Sequence, residues 1–233
     1  MCGLVILSLT LVATARAQPS PSVGPDGSTQ AEDEERERVP DPGARAHDGF
    51  YLRLHLGPGY TNLSASAKGG DLSIAGKSLN FGIALGGAVS SHLIIYGTLV
   101  DALAFNLTSK QNQAQIEAGM IEGFVNGGGL HTMGVLGIGG GAAYYLDANV
   151  FFAGSLLGSR ASVSQFIGTV ARSEWGVTFE GLVGKEWWVS DNWGLGVAGQ
   201  VLLGVMNDTM DADASVPTWK LAAFSVLFSA TFN

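Results

Sequence analysis

Phe50-Tyr51-Leu52-Arg53-Leu54-His55-Leu56 places Phe50, Leu52, Leu54 and Leu56 on one parity and Tyr51, Arg53 and His55 on the other. Alternation with period two marks a β-strand whose two faces meet different surroundings. The pattern recurs downstream. Leu79, Phe81, Ile83 and Leu85 alternate with Asn80, Gly82, Ala84 and Gly86. Leu195, Val197, Val201 and Leu203 alternate with Gly194, Gly196, Ala198 and Gln200, and Phe224, Val226, Phe228, Ala230 and Phe232 with Ala223, Ser225, Leu227, Ser229 and Thr231. Four further strands are expected near 92–102, 132–146, 150–161 and 175–188, where Val135-Leu136 and Val150-Phe151-Phe152 put bulky residues on both parities.

The connections between these strands alternate in length. Ser90-Ser91, Asp147-Ala148-Asn149 and Ser190-Asp191-Asn192 are tight polar turns. Longer polar connections are expected over 61–75, 104–130, 162–174 and 205–217. Eight antiparallel strands joined in that order put every short turn at one end and every long loop at the other. The fold class read from this is all-β, an eight-stranded up-and-down transmembrane barrel.

Face chemistry selects the membrane form. A soluble barrel of this size fills its inside with bulky apolar residues. Here the face opposite the Leu, Val, Ile and Phe positions is mostly Gly, Ala, Ser, Asn and Gln, so the bulky residues are assigned to lipid and the small or polar ones to the interior. Most charges fall in the expected turns and loops, among them Asp71, Lys77, Lys110, Glu117 and Glu122. Arg53 and Glu180 stand in mid-strand on the small-residue parity, and with His55 they are expected to form an interior polar network. Trp187, Trp188, Trp193 and Phe232, with Tyr144 and Tyr145, gather near the turn end as an interfacial aromatic girdle, while Tyr60 and Trp219 are expected near the opposite rim.

The remainder of the chain reads differently. Leu4 to Ala15 is an apolar run ending in Ala15-Arg16-Ala17, the pattern of a cleaved signal peptide over 1–17. Residues 18–47 hold five of the seven prolines and the acidic run Glu32-Asp33-Glu34-Glu35, a composition expected to form a disordered linker. The barrel is assigned to 48–233. Cys2 lies within the leader, so no disulfide or thiolate metal site is expected in the mature chain. A net charge of −8 opposes nucleic-acid binding.

Gly137-Ile138-Gly139-Gly140-Gly141-Ala142 imitates a dinucleotide-binding loop, but no βαβ unit surrounds it, and it reads as a Gly-rich strand. His47, His55, His92 and His131 lack metal-ligand spacing. His131 with Glu117 or Glu122 forms no recognisable acid–base pair with a serine. No cofactor, metal or catalytic residue is therefore assigned, and no enzyme is expected.

On its topology, its Gly-rich alternating strands and the closing segment Phe224 to Phe232, the stretch 48–233 resembles the small eight-stranded outer-membrane barrels of the OmpA/OmpX type. The resemblance implies a Gram-negative outer membrane as location, with both termini in the periplasm, and outer-membrane lipid and the barrel-assembly machinery as partners. In that family a final alternating strand ending in an aromatic carries the assembly signal; here Asn233 follows Phe232. A monomer is expected, with external loops such as that near 104–130 serving adhesion, recognition or surface protection. The alternative readings are a narrow small-solute pore and a lipid A-modifying enzyme.

Overall fold

Period two in the sequence becomes one antiparallel sheet that closes on itself. A computed structural model describes residues 49–67, 70–112, 132–165, 168–207 and 218–233. The strands are β1 (Phe50–Ala67), β2 (Gly70–Ala88), β3 (Leu93–Asn112), β4 (Thr132–Tyr145), β5 (Val150–Gln165), β6 (Gly168–Arg172), β7 (Gly176–Trp188), β8 (Trp193–Asn207) and β9 (Thr218–Phe232). Their order is β4-β3-β2-β1-β9-β8-β7-β5-β6, and the additional β4–β5 pairing closes the sheet. Eight strands form the wall. The short β6 pairs only with the end of β5, and Ser173–Trp175 carry the chain from it into β7.

The tight turns form as their residues dictate. Val89 N–H donates to Leu93 O at 2.8 Å and Val189 N–H to Trp193 O at 2.9 Å, closing the Ser90-Ser91 and Ser190-Asp191-Asn192 turns. Asn149 adopts φ 55° in the third, a left-handed conformation that Asn tolerates.

The long connections begin later than expected. β1, β2 and β3 run 18, 19 and 20 residues, about twice the ~9–11 residues of a membrane-crossing strand. Much of 61–75, the start of 104–130 and parts of 162–174 are therefore strand, not loop. Polar residues on the outward face made these stretches read as loops. They are hairpins that rise beyond the apolar belt, where alternation has no lipid to face. A register shift between Ala75 and Lys77, with Asn106 at φ 51°, marks a bulge there.

Register fixes the barrel's dimensions. Paired residues followed from Phe105 through Lys77, Tyr60, Phe224, Val201, Gly181, Gly154 and Ala142 return to β3 at Ile95, ten residues lower. Eight strands with that shear tilt ~40° from the barrel axis. Outward residues at the turn end (Trp187, Tyr144, Phe232) then lie about 25 Å below Lys77 and Arg160 near the other edge, the height of a membrane barrel's apolar band. Between these limits the outward face is almost wholly apolar and exposed, with Phe228 68% and Leu156 63% accessible.

The inside is layered. At the turn end Tyr51, Tyr96, Tyr145 and Phe151 are buried together. A middle layer holds buried His55, Asn80, Thr98, Ser155, Glu180, Gln200 and Ser225. Toward the loop end Leu63, Ile74, Val100, Met133, Leu157, Met206, Trp219 and their neighbours form an apolar cluster. This corrects the expectation of an interior too small and polar for an apolar core. It also moves Trp219 from the rim to the inside, where it is fully buried. The strands' upper halves enclose a space filled by large apolar side chains interleaved with alanines.

Glycine permits the close wall approach at Gly57. A Cβ there would lie far inside van der Waals contact with the Val226 carbonyl oxygen on β9. Outward-facing Gly199 has only Val183 atoms, at 4.0 Å, near the same position. Gly57→Leu is therefore expected to abolish the heat-modifiable folded band on gels, while Gly199→Leu leaves it intact.

Candidate functional site

Inward parity on β1 delivers Arg53 to the turn-end layer, where it is almost fully buried. Its guanidinium lies 4.0 Å from the centroid of the Phe151 ring. Arg53 Nη2 donates to the Tyr145 hydroxyl at 2.7 Å, and Tyr145 donates in turn to Glu186 Oε2 at 3.0 Å. Arg53 Nε stands 3.7 Å from Glu186 Oε1, which also accepts from Thr231 at 2.7 Å and Ser229 at 3.4 Å. A buried ion pair needs further hydrogen bonds to offset its desolvation, and here β4 supplies Tyr145 and β9 supplies Thr231 and Ser229. The cluster ties β1, β4, β7 and β9 together across the barrel.

Glu180 belongs to a different group. Gln200 Nε2 donates to Glu180 Oε1 at 2.6 Å, and Ser225 donates to Gln200 Oε1 at 2.8 Å. His55 is buried against Gly82, and neither of its ring nitrogens has a protein partner. All three residues proposed for the interior network point inward, but they are not joined in one network. The partner of Arg53 is Glu186. Its signal was present in the sequence, since Glu180, Leu182, Gly184 and Glu186 share one parity and the first of these was already assigned inside.

The aromatic residues at the turn end divide by the same rule. Trp187 and Trp193 are exposed on the outer wall, and Trp193 meets Phe232 edge-on at 5.4 Å. Tyr144 is exposed and stacks with His92, which is itself 3.1 Å from Asp147 of the neighbouring turn. Trp188 takes the inward parity and is half-buried, and Tyr145 is buried in the Arg53 cluster, so neither belongs to the outer girdle. Consecutive aromatics in a strand cannot share a face.

Charge on the outer wall was underestimated. Lys77 is exposed on a strand, not in a loop; Lys220 is also exposed on a strand, and Arg160 faces outward with Nε donating to Ser173 O at 2.8 Å. Asp101 lies outward between Phe81 and Leu136, its Oδ1 3.9 Å from the point where a Gly134 side chain would begin. From register it sits roughly 6 Å below the Lys77 level, inside the apolar belt. His131, Glu117 and Glu122 lie outside the described residues. Among the described residues no three His, Cys, Asp or Glu stand close enough to hold a metal ion.

No protein-family model and no curated protein matches the chain. Solved structures do. The outer membrane protein OprG from Pseudomonas aeruginosa is 11% identical with TM-score 0.44, over 81% of this chain and 98% of that one. Neisserial surface protein A is 14% identical with TM-score 0.44, over 79% and 98%. The outer membrane protein AlkL, determined in DMPC bilayers, is 13% identical with TM-score 0.48, over 84% and 94%. Independently of these matches, the chain's own strand pairing is that of a closed eight-stranded antiparallel barrel.

Two substitutions test the placement of charge. Glu186→Ala leaves Arg53 without its carboxylate, and unfolding in lipid vesicles should report a loss of about 3–5 kcal/mol, most of it regained in the Arg53→Leu/Glu186→Leu double variant. Asp101→Leu should instead stabilise the barrel, by about 1–2 kcal/mol in the same titration, because it removes a carboxylate from the lipid-facing wall.

Proposed function

We propose that the chain is an integral outer-membrane barrel whose body is a sealed scaffold and whose loop end performs recognition at the cell surface. The observation that carries this reading is the partition of the wall: an apolar belt about 25 Å high outside, and side chains packed through every layer inside. The ion-pair cluster at the turn end and the apolar cluster toward the loop end both lie across the path a solute would take. Such an interior supports a scaffold rather than a conduit. The hairpins that rise beyond the belt supply surface outside the membrane, and the segment 113–131 joins two of the strands there. Both termini then lie on the periplasmic side, with the acidic linker 18–47 ahead of β1.

Orientation and role are tested separately. Single cysteines at Gln115 and Ser190, placed in a Cys-free mature chain, are treated on intact cells with a membrane-impermeant maleimide. Gln115→Cys should label and Ser190→Cys should remain protected; the reverse pattern overturns the orientation. Deletion of 113–131 should leave heat-modifiable migration unchanged, since surface loops tolerate large changes in length, while attachment of expressing cells to a matrix-coated surface falls to background. Attachment that survives the deletion removes this loop as the recognition site. Purified barrel in planar bilayers should be electrically silent, and sustained conductance would favour the pore.

A further inference from the structure

The middle layer of the bore holds polar atoms that the protein itself does not satisfy. His55, Asn80 and Glu180 are each more than nine-tenths buried, yet both His55 ring nitrogens, Asn80 Oδ1 and Glu180 Oε2 have no protein partner. Asn80 Nδ2 donates to Ser78 Oγ at 3.0 Å, which leaves the amide oxygen as a bare acceptor. Buried polar groups in folded proteins are paired or bonded to enclosed water, because a bare one is costly. These atoms share one compartment. Below it lie Arg53 and the buried rings of Tyr51, Tyr145 and Phe151, and above it the apolar cluster closes the bore. Between them the inward positions Gly57 and Gly82 bring no side chain to the layer.

Charge points to the same layer. Among the described residues the buried side chains of charged type, histidine included, are Arg53, His55, Glu180 and Glu186. Arg53 and Glu186 answer one another. Glu180 receives one hydrogen bond, from the neutral amide of Gln200 at 2.6 Å, and no cation pairs with it. A lone carboxylate at membrane depth is expensive, and His55 is the remaining group there that can carry a compensating proton. From the shear and the ~40° tilt, His55 and Glu180 stand on opposite sides of the bore, about 6 Å apart in height. Opposing walls are about 16 Å apart between Cα atoms and each side chain reaches about 5 Å, so a gap of at least about 6 Å remains. That is too far for contact. It is the span of a short water chain at about 2.8 Å per hydrogen bond.

We infer that the middle layer is an enclosed hydrated site that holds one proton between His55 and Glu180. Water is the ligand: it bonds the His55 ring, donates to Asn80 Oδ1 and reaches Glu180 Oε2. With the proton on Glu180, a carboxylic acid faces a neutral imidazole. When Oε2 gives it to the water and the water passes one to the ring, a carboxylate faces an imidazolium. Either arrangement leaves the pair neutral, and the Arg53–Glu186 pair is neutral beside it. The other titratable groups turned toward the layer are Tyr51, Tyr145 and Tyr96, whose hydroxyl lies 3.0 Å from Ser155 Oγ. The inference rests on the membrane-spanning reading above, since lipid outside and plugs at both ends are what make an uncompensated charge costly. It goes beyond that reading by assigning the sealed interior a bound species.

The test is solid-state NMR of the barrel in lipid bilayers at neutral pH, with carbon-labelled glutamate and nitrogen-labelled histidine. The wild-type chain should show one proton on the pair: a protonated carboxyl with a neutral ring, or a carboxylate with an imidazolium. A carboxylate beside a neutral ring, or a protonated carboxyl beside an imidazolium, overturns the proposal. In His55→Gln the Glu180 carboxyl should carry the proton alone, and in Glu180→Gln the His55 ring should be neutral. An ionised Glu180 in the first variant or an imidazolium in the second overturns it too. Polarisation from water should reach His55 and Glu180 about three-fold faster or more than the buried Met133 and Met206 methyls, and equal rates remove the enclosed water. The wild-type spectra decide by themselves if a variant does not fold. Heat-modifiable migration, recorded for every sample, separates this from failure of the parent reading: a chain that never inserts gives no folded band, whereas a folded barrel with the wrong charge states refutes the proton site alone.

Discussion

Backbone amides and carbonyls inside hydrocarbon have no water to bond, and each one left unpaired costs several kcal/mol. The pairing of β1 with β9, first strand to last, meets that demand by leaving the wall without an open edge over the membrane-crossing height. Everything else follows from closure. A sheet of eight strands with a shear of ten has a narrow bore, so each inward position has a fixed volume to fill and each outward position a fixed depth in the bilayer. Gly57 is where the backbone of β9 leaves no room for a side chain on β1. Trp219 is where it leaves room for the largest one.

Within that bore, polar groups are satisfied unevenly: both His55 ring nitrogens, the Tyr51 hydroxyl and Asn80 Oδ1 have no protein partner. Tyr145, Thr231 and Ser229 hydrogen-bond to the Arg53–Glu186 pair, while Arg53 Nε is left with only the 3.7 Å ionic approach to Glu186. Gln200, itself held by Ser225, donates to one oxygen of Glu180 and leaves Oε2 without a protein partner. Above these layers the interior turns apolar, although the wall around it is leaving the membrane. The two transitions are displaced from one another along the axis. The outside changes from apolar to polar at the headgroups, whereas the inside changes from polar to apolar below them.

Much of the fold was legible because period two survives any uncertainty about partners. Phe50 to Leu56 assigns in and out for β1 without reference to another strand, and short turns of Ser, Asp and Asn then determine the order. Where the sequence misled, the reason was a change of solvent. Strand beyond the belt has water outside, so residues such as Asn62 and Ser64 replace Leu at outward positions and the stretch looks like a loop. Lys77 was taken for a loop charge on the same grounds. The interior cluster was hidden for the opposite reason: Leu63, Ile74 and Trp219 are bulky residues on the inward parity, in segments whose alternation was already discounted. Glu186 was legible and overlooked, as it lies six residues from Glu180 on one parity.

The seam between β1 and β9 has a consequence in time. Leu52 pairs with Phe232, residues separated by nearly the whole barrel sequence, whereas the hairpin partners on either side are neighbours in the chain. Local hairpins form against little loop entropy, while joining the first strand to the last requires the intervening wall to be gathered first. Until that join is made, the chain is a curved open sheet with two unsatisfied margins, each able to recruit a strand from another molecule. Assembly is therefore a race between circularisation and misassociation, and the final strand, Thr218–Phe232, is the one whose arrival decides it.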